Sequence, residues 1–255
     1  MPFHFEKKPS LVAYVTSGDP DLETTRAVVL AAIDAGASVI ELGVPFSDPL
    51  ADGPVIQRAS ERALKHGTSL EQVLKLAAEI REKSQSVGLI VFSYLNPILQ
   101  MGLERFCKIA RLAGVDGVLV TDLPVEEAAV YLAEMQKNDL APIFLAAPTS
   151  TDERLKRIAA VSKGFVYAVS RTGVTGARKE ISDDARKLAH RLQKFTKLPV
   201  AVGFGISTPE QFAAVGGYAH AAVVGSAIVE TIERNPGTEA ASVGEFVKKL
   251  LVGGR

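Results

Sequence analysis

Short apolar runs rich in β-branched residues recur along the chain. Each is followed by a loop bearing Gly, Pro or Asp, then by a longer stretch with apolar positions at helical spacing. Eight such runs, at 11–15, 38–42, 88–93, 117–120, 141–145, 164–169, 199–202 and 221–224, read as strands. Several are apolar at consecutive rather than alternate positions, as strands covered on both faces should be. The helical stretches are 21–35, 55–66, 69–83, 103–113, 125–137, 151–161, 183–194, 209–215, 226–233 and 243–251. Ser69 followed by Gln72 three residues on predicts a capping box. The stretch 55–66 is an additional helix inside the second strand-to-helix connection. Parallel neighbours need crossovers, so an eight-fold alternation closes most simply as one (β/α)8 barrel spanning residues 1–255, with extra short helices in its connections. A doubly wound open sheet is the alternative, and the glycine pattern near the C-terminus favours the barrel.

Size agrees with this reading, since 255 residues match the roughly 250 of an undivided α/β barrel. Lys plus Arg and Asp plus Glu number 29 each, so no surface charged for nucleic acid or anionic lipid is expected. No run approaches the ~20 apolar residues of a membrane span, and the opening MPFHFEKKPS lacks a signal core. The lone Cys107 cannot form an internal disulfide and reads as a small buried hydrophobe in a reducing compartment. A cytoplasmic location is expected.

Charge at strand ends changes the picture. The run Ser38-Val39-Ile40 leads into Glu41, where structural need alone would place Val or Leu, and then into a proline-stiffened loop carrying Asp48 and Asp52. A buried carboxylate is costly unless paired or used, and two acids beside an apolar pocket can divide acid and base roles. Turn formation is the plain reading of Asp48, Asp52 and Asp122. Tyr94, Tyr167 and Arg171 are further polar groups at strand ends, and Phe204 either walls an aromatic pocket or fills the barrel. For Tyr167, core packing with a hydroxyl at the mouth competes with a substrate contact. Three glycine-rich strand ends follow: Ser170-Arg171-Thr172-Gly173-Val174-Thr175-Gly176, then Gly203-Phe204-Gly205, then Gly225-Ser226 opening a short helix. Singly these are tight turns. Together they match the phosphate site that barrels build from late loops and a helix N-terminus. Metal is not expected, because His4, His66, His190 and His220 are scattered. No GxSxG serine is present, and no lysine sits at a strand end for Schiff-base chemistry.

The motifs VTSGDP, ELGVPFSDPLADGP, TDLPVEE, SRTGVTGA, GFGIS and VVGSAIV stand in this order, and by them the chain resembles the tryptophan synthase alpha chain family from about Leu11 to Ile232. The resemblance implies a barrel that cleaves indole-3-glycerol phosphate to indole and glyceraldehyde 3-phosphate. By it, Glu41 and Asp52 are the catalytic acids. Gly176, Gly205, Gly225 and Ser226 hold the phosphate, Tyr94, Tyr167 and Phe204 line the indole pocket, and Thr175 lies on a loop closing over Asp52. It also implies a beta-chain partner in an alpha2beta2 heterotetramer, met through the loop around Ser47-Asp48-Pro49 and the loop beginning at Asn96-Pro97. Pyridoxal phosphate is expected only in that partner, and no cofactor in this chain. A free-standing lyase that releases indole, and a weakly active subunit that activates the beta chain, are the other readings.

Overall fold

Successive strand positions point to opposite faces, and this parity organises the whole molecule. A computed structural model describes residues 3, 5–169, 183–203 and 205–252. Its strands are β1 (Ser10–Thr16), β2 (Val39–Gly43), β3 (Gly88–Ser93), β4 (Gly117–Val120), β5 (Ala141–Ile143), β6 (Leu145–Ala146), β7 (Val166–Val169), β8 (Val200–Gly203) and β9 (Ala221–Val224). All pairs are parallel, in the order β5-β4-β3-β2-β1-β9-β8-β7-β6. The ends β5 and β6 are two halves of the single strand predicted at 141–145, interrupted at Phe144. One half pairs with β4 and the other with β7, so the sheet closes on itself with eight-fold character. Across the seam Lys163 N–H donates to Pro142 O at 2.9 Å and Tyr167 N–H to Phe144 O at 3.2 Å.

One parity faces the helices. Leu11, Ala13 and Val15 of β1, Ile40 and Leu42 of β2, and Val200 and Val202 of β8 belong to the large core between barrel and helical shell. The other parity fills the barrel: Val12, Val39, Ile90, Leu119, Ala201, Ala221 and Val223 pack with one another. Burial on both faces explains the consecutive apolar runs. The floor is closed by Phe3, whose ring meets Phe165 edge-on with centroids 5.5 Å apart. Gly88 and Gly117 make room for it, since a Cβ there would come within 2.7 and 3.1 Å of the ring.

The shell is α1 (Leu22–Asp34), α2 (Pro54–Lys65), α3 (Leu70–Lys83), α4 (Leu95–Met101), α5 (Leu103–Leu112), α6 (Ala129–Lys137), α7 (Asp152–Val161), α8 (Asp183–Gln193), α9 (Pro209–Val215), α10 (Ser226–Arg234) and α11 (Glu239–Val252). Ser69 and Gln72 form the expected capping box. Three stretches differ from expectation. Asn96-Pro97 lies in α4, not in a loop, with Pro97 in the first turn, where a missing N–H is harmless. Helix α6 starts at Ala129 rather than 125, because Glu127 N–H first closes a turn onto Pro124 O at 3.0 Å. Helix α11 begins about a turn earlier than predicted. Cys107 is buried on α5, and burial pushes its thiol up to about 11, so it packs as a hydrophobe rather than reacting. Among the described residues no helix is long and apolar enough to cross a membrane.

Candidate active site

Parity sends Glu41 inward. On β2 its neighbours Ile40 and Leu42 pack outward among the helices, which leaves Glu41 on the barrel axis with 0 % exposure. Among the described residues neither carboxylate oxygen has a hydrogen-bond partner. Desolvation alone pushes its pKa from 4.5 up to about 8, so the group holds its proton at neutral pH. A buried acid without a partner destabilises the fold, and its presence points to use rather than packing.

Asp52 lies in the loop between β2 and α2, and this loop is tied down by its own backbone. Asp52 N–H donates to Pro49 O at 3.0 Å, and Gln57 Nε2 donates to Asp52 O at 2.9 Å. The Tyr94 hydroxyl donates to Asp52 Oδ2 at 2.9 Å and accepts from Ala51 N–H at 2.9 Å. Burial raises the Asp52 pKa to about 6, and the hydrogen bond from Tyr94 holds it back from rising further. The two acids are thus driven to different charge states by environment, Glu41 neutral and Asp52 ionised at pH 7. Tyr94 stands behind Asp52, stacked on Phe46 with centroids 5.0 Å apart, and is not on the cavity wall where the resemblance placed it.

Both acids face a cavity of about 160 Å³ at the C-terminal mouth of the barrel, roughly ten times what one water needs. Tyr167, Gly205, Gly225 and Ser226 line it, together with residues that the sequence did not single out: Tyr14, Val55, Ile56, Phe92, Ile206 and Val223. Gly225 is the N-cap of α10, so the N-terminal N–H groups and positive dipole end of that helix sit on the cavity wall, two strands round the barrel from Glu41. Gly205 has φ +82°, the left-handed region that favours glycine. Thr175, Gly176, Phe204 and Arg171 lie outside the described residues.

The two tyrosines occupy equivalent places. Tyr14 of β1 leans over Gly43 of β2, and Tyr167 of β7 leans over Gly203 of β8; a Cβ at either glycine would collide with the tyrosine hydroxyl. Glycine at the last position of β2 and β8 therefore lets each ring lie across the neighbouring strand with its hydroxyl at the mouth. Tyr167 was legible as a polar group ending a strand. Tyr14 was hidden inside an apolar run, and only its inward parity marks it.

Asp48 and Asp122 keep their plain roles. Asp48 accepts from Ser47 Oγ at 2.6 Å on the surface, and Asp122 Oδ1 accepts Leu95 N–H at 2.7 Å at the start of α4. A partly buried ion-pair network braces the elements around the cavity. Arg62 of α2 grips Asp19 with Nε and Nη2 at 2.7 and 2.9 Å, and its Nη1 reaches Glu233 of α10 at 2.7 Å. Among the described residues no group of three or more His, Cys, Asp or Glu could hold a metal.

The comparisons with known proteins point the same way. The family model described as tryptophan synthase alpha chain matches residues 3–251. A tryptophan synthase alpha chain of Solibacter usitatus is 52% identical over 238 residues, covering 93% of this chain and 89% of the relative. The solved tryptophan synthase complex of Pyrococcus furiosus contains a chain that superposes with TM-score 0.90 at 38% identity, covering 96% of this chain and 99% of that one. A Mycobacterium tuberculosis tryptophan synthase structure superposes with TM-score 0.90 at 35% identity, covering 97% and 93%. Fold and sequence are thus shared along nearly the whole chain with relatives of nearly equal length, and the chain belongs to the tryptophan synthase alpha chain family.

Proposed function

We propose that the chain is a carbon–carbon lyase that cleaves indole-3-glycerol phosphate to indole and glyceraldehyde 3-phosphate, one step of cytoplasmic tryptophan synthesis. The observation that carries this is Glu41, neutral and, among the described residues, without a hydrogen-bond partner, in a cavity that the N-terminus of α10 also lines. A phosphate at Gly225-Ser226 would meet backbone N–H groups and the helix dipole. The indole ring would lie against Phe92, Ile56 and Val223.

The chemistry follows from the two charge states. Glu41 gives its proton to indole C3. Asp52, as carboxylate, accepts a hydrogen bond from the indole N–H and steadies the positive charge that protonation places on the ring. The bond between C3 and the side-chain carbinol carbon then breaks, and its electron pair returns to the ring. The carbinol hydroxyl loses its proton to the Glu41 carboxylate as the aldehyde forms, which restores the acid. Atoms and charge balance without any other reactant.

Leu50 is 89% and Leu99 56% exposed, on the loop after β2 and on α4 after β3. Apolar side chains presented beside the mouth suit a partner that receives indole there, and we assign this rim to a beta chain carrying pyridoxal phosphate in an alpha2beta2 assembly. The decisive experiment follows glyceraldehyde 3-phosphate release by Glu41→Gln and Asp52→Asn. Each is expected to lose at least about 100-fold in kcat, the usual worth of a general acid or base. Wild-type rates in both, with the fold intact, would sink the assignment.

A further inference from the structure

One polar group in the cavity has no part in the steps above. The Tyr14 hydroxyl is buried, with the whole residue 6% exposed, and the residue lines the cavity. Among the described residues its hydrogen-bond contact is Thr16 Oγ1 at 3.4 Å, longer than the 2.5–3.0 Å of a good O–H···O bond. A phenylalanine would fill the same space over Gly43 without leaving a buried hydroxyl so weakly satisfied.

Strand order says what Tyr14 lies between. Around the barrel β1 lies between β2 and β9. Tyr14 is in register with Glu41 on one side, and neighbouring strands are ~4.8 Å apart. On its other side Tyr14 Cβ lies 3.4 Å from where a Gly225 Cβ would be. Tyr14 therefore stands between the acid that protonates the indole ring and the glycine that opens the phosphate cradle. A chain linking ring to phosphate along this wall crosses Tyr14.

We propose that the Tyr14 hydroxyl binds the substrate's glycerol chain, at the hydroxyl next to the phosphate-bearing carbon, and so discriminates a hydroxylated linker from a bare alkyl one. This rests on the proposed substrate. Burial and the nearby Asp52 and Glu41 carboxyls hold the phenol protonated, so it donates. The ring and the hydroxyl have separable jobs: the ring packs with Phe92, edge-on at 5.1 Å, and the hydroxyl reads the linker.

The test compares wild type with Tyr14→Phe on two ligands. One is indole-3-glycerol phosphate, scored by kcat/KM. The other is 3-(indol-3-yl)propyl phosphate, which keeps ring and phosphate but lacks both linker hydroxyls, scored by its Kd. Tyr14→Phe is expected to lower kcat/KM roughly five- to tenfold, the worth of one hydrogen bond, and to change the Kd less than twofold. Equal losses on both ligands would show that the hydroxyl serves packing, and no loss on either would show that it does not touch the linker; each overturns the proposal. An active wild type with an unchanged ratio sinks the proposal alone, whereas a wild type that cannot cleave the substrate sinks the reading beneath it as well.

Discussion

At the residue scale the site depends on two carboxyls held apart in pKa by burial. With Glu41 near 8 and Asp52 near 6, the acid and carboxylate that the proposed chemistry needs coexist mainly between those values. The pH profile of kcat/KM is expected to be bell-shaped, with limbs at about 6 and about 8. The phosphate monoester also titrates near 6, so the alkaline limb is the discriminating one; a rate still flat at pH 9.5 would contradict the assignment to Glu41. The same shift sets a stability trend. The folded chain keeps a proton on Glu41 that the unfolded chain releases from about 4.5 upward. The folded state thus binds more protons in that window, so stability is full below about 4.5 and is lost as pH rises through about 8. Asp52, raised from 3.8 to about 6, adds a smaller loss of the same sign. Glu41→Gln cannot ionise, and melts at pH 5.5 and 9 are expected to show a smaller decline than wild type. An equal or steeper decline would mean that the carboxyl is hydrated in the folded state.

At the element scale, Arg62 ties α2 to α10 beside the mouth, over the apolar contact of Ile56 and Ala59 with Val229. Asp19 is almost wholly buried, its side chain 2% exposed against 30% for Arg62, so removal of the guanidinium strands a carboxylate rather than merely deleting a surface pair. Arg62→Ala is expected to cost about 3 kcal/mol in urea unfolding, the usual penalty for breaking a buried pair. A loss below about 0.5 kcal/mol would place the pair in the class of exposed bridges. None of this was legible in the chain, because Asp19, Arg62 and Glu233 are separated by 43 and 171 residues and each alone reads as a loop or surface charge. The helix α4 escaped for a related reason. Its seven residues contain Pro97, and its start is fastened by Asp122 from the next strand-to-helix connection. Local periodicity carries no trace of such a bond. By contrast, strands buried on both faces announce themselves as unbroken apolar runs, and Glu41 was legible because it violates one.

At the scale of the whole molecule, the barrel separates the proposed site of chemistry from an end that serves only the fold. The acids and the helix N-terminus gather at the C-terminal mouth, whereas the opposite end is stopped by Phe3, edge-on to Phe165, which Phe5 meets edge-on in turn. The N-terminal segment read only as one lacking a signal core; that it plugs the floor depends on Gly88 and Gly117 both making room for one ring from neighbouring strands, a relation visible only once the barrel closes. Phe3 is 6% exposed, and its truncation opens a void that the rigid strands around it cannot collapse to fill. Phe3→Ala is therefore expected to lower stability by about 3–4 kcal/mol, the range for a buried aromatic ring. The inner layer of Val12, Val39, Ile90 and Leu119 lies between that void and the acids, and close-packed layers of branched side chains resist deformation. The void should stop there, so kcat/KM at 25 °C should stay within twofold of wild type while the urea midpoint drops. A fall in kcat/KM matching the fall in stability would show that floor and mouth are mechanically one unit, and the division between a structural end and a chemical end would not hold for this chain.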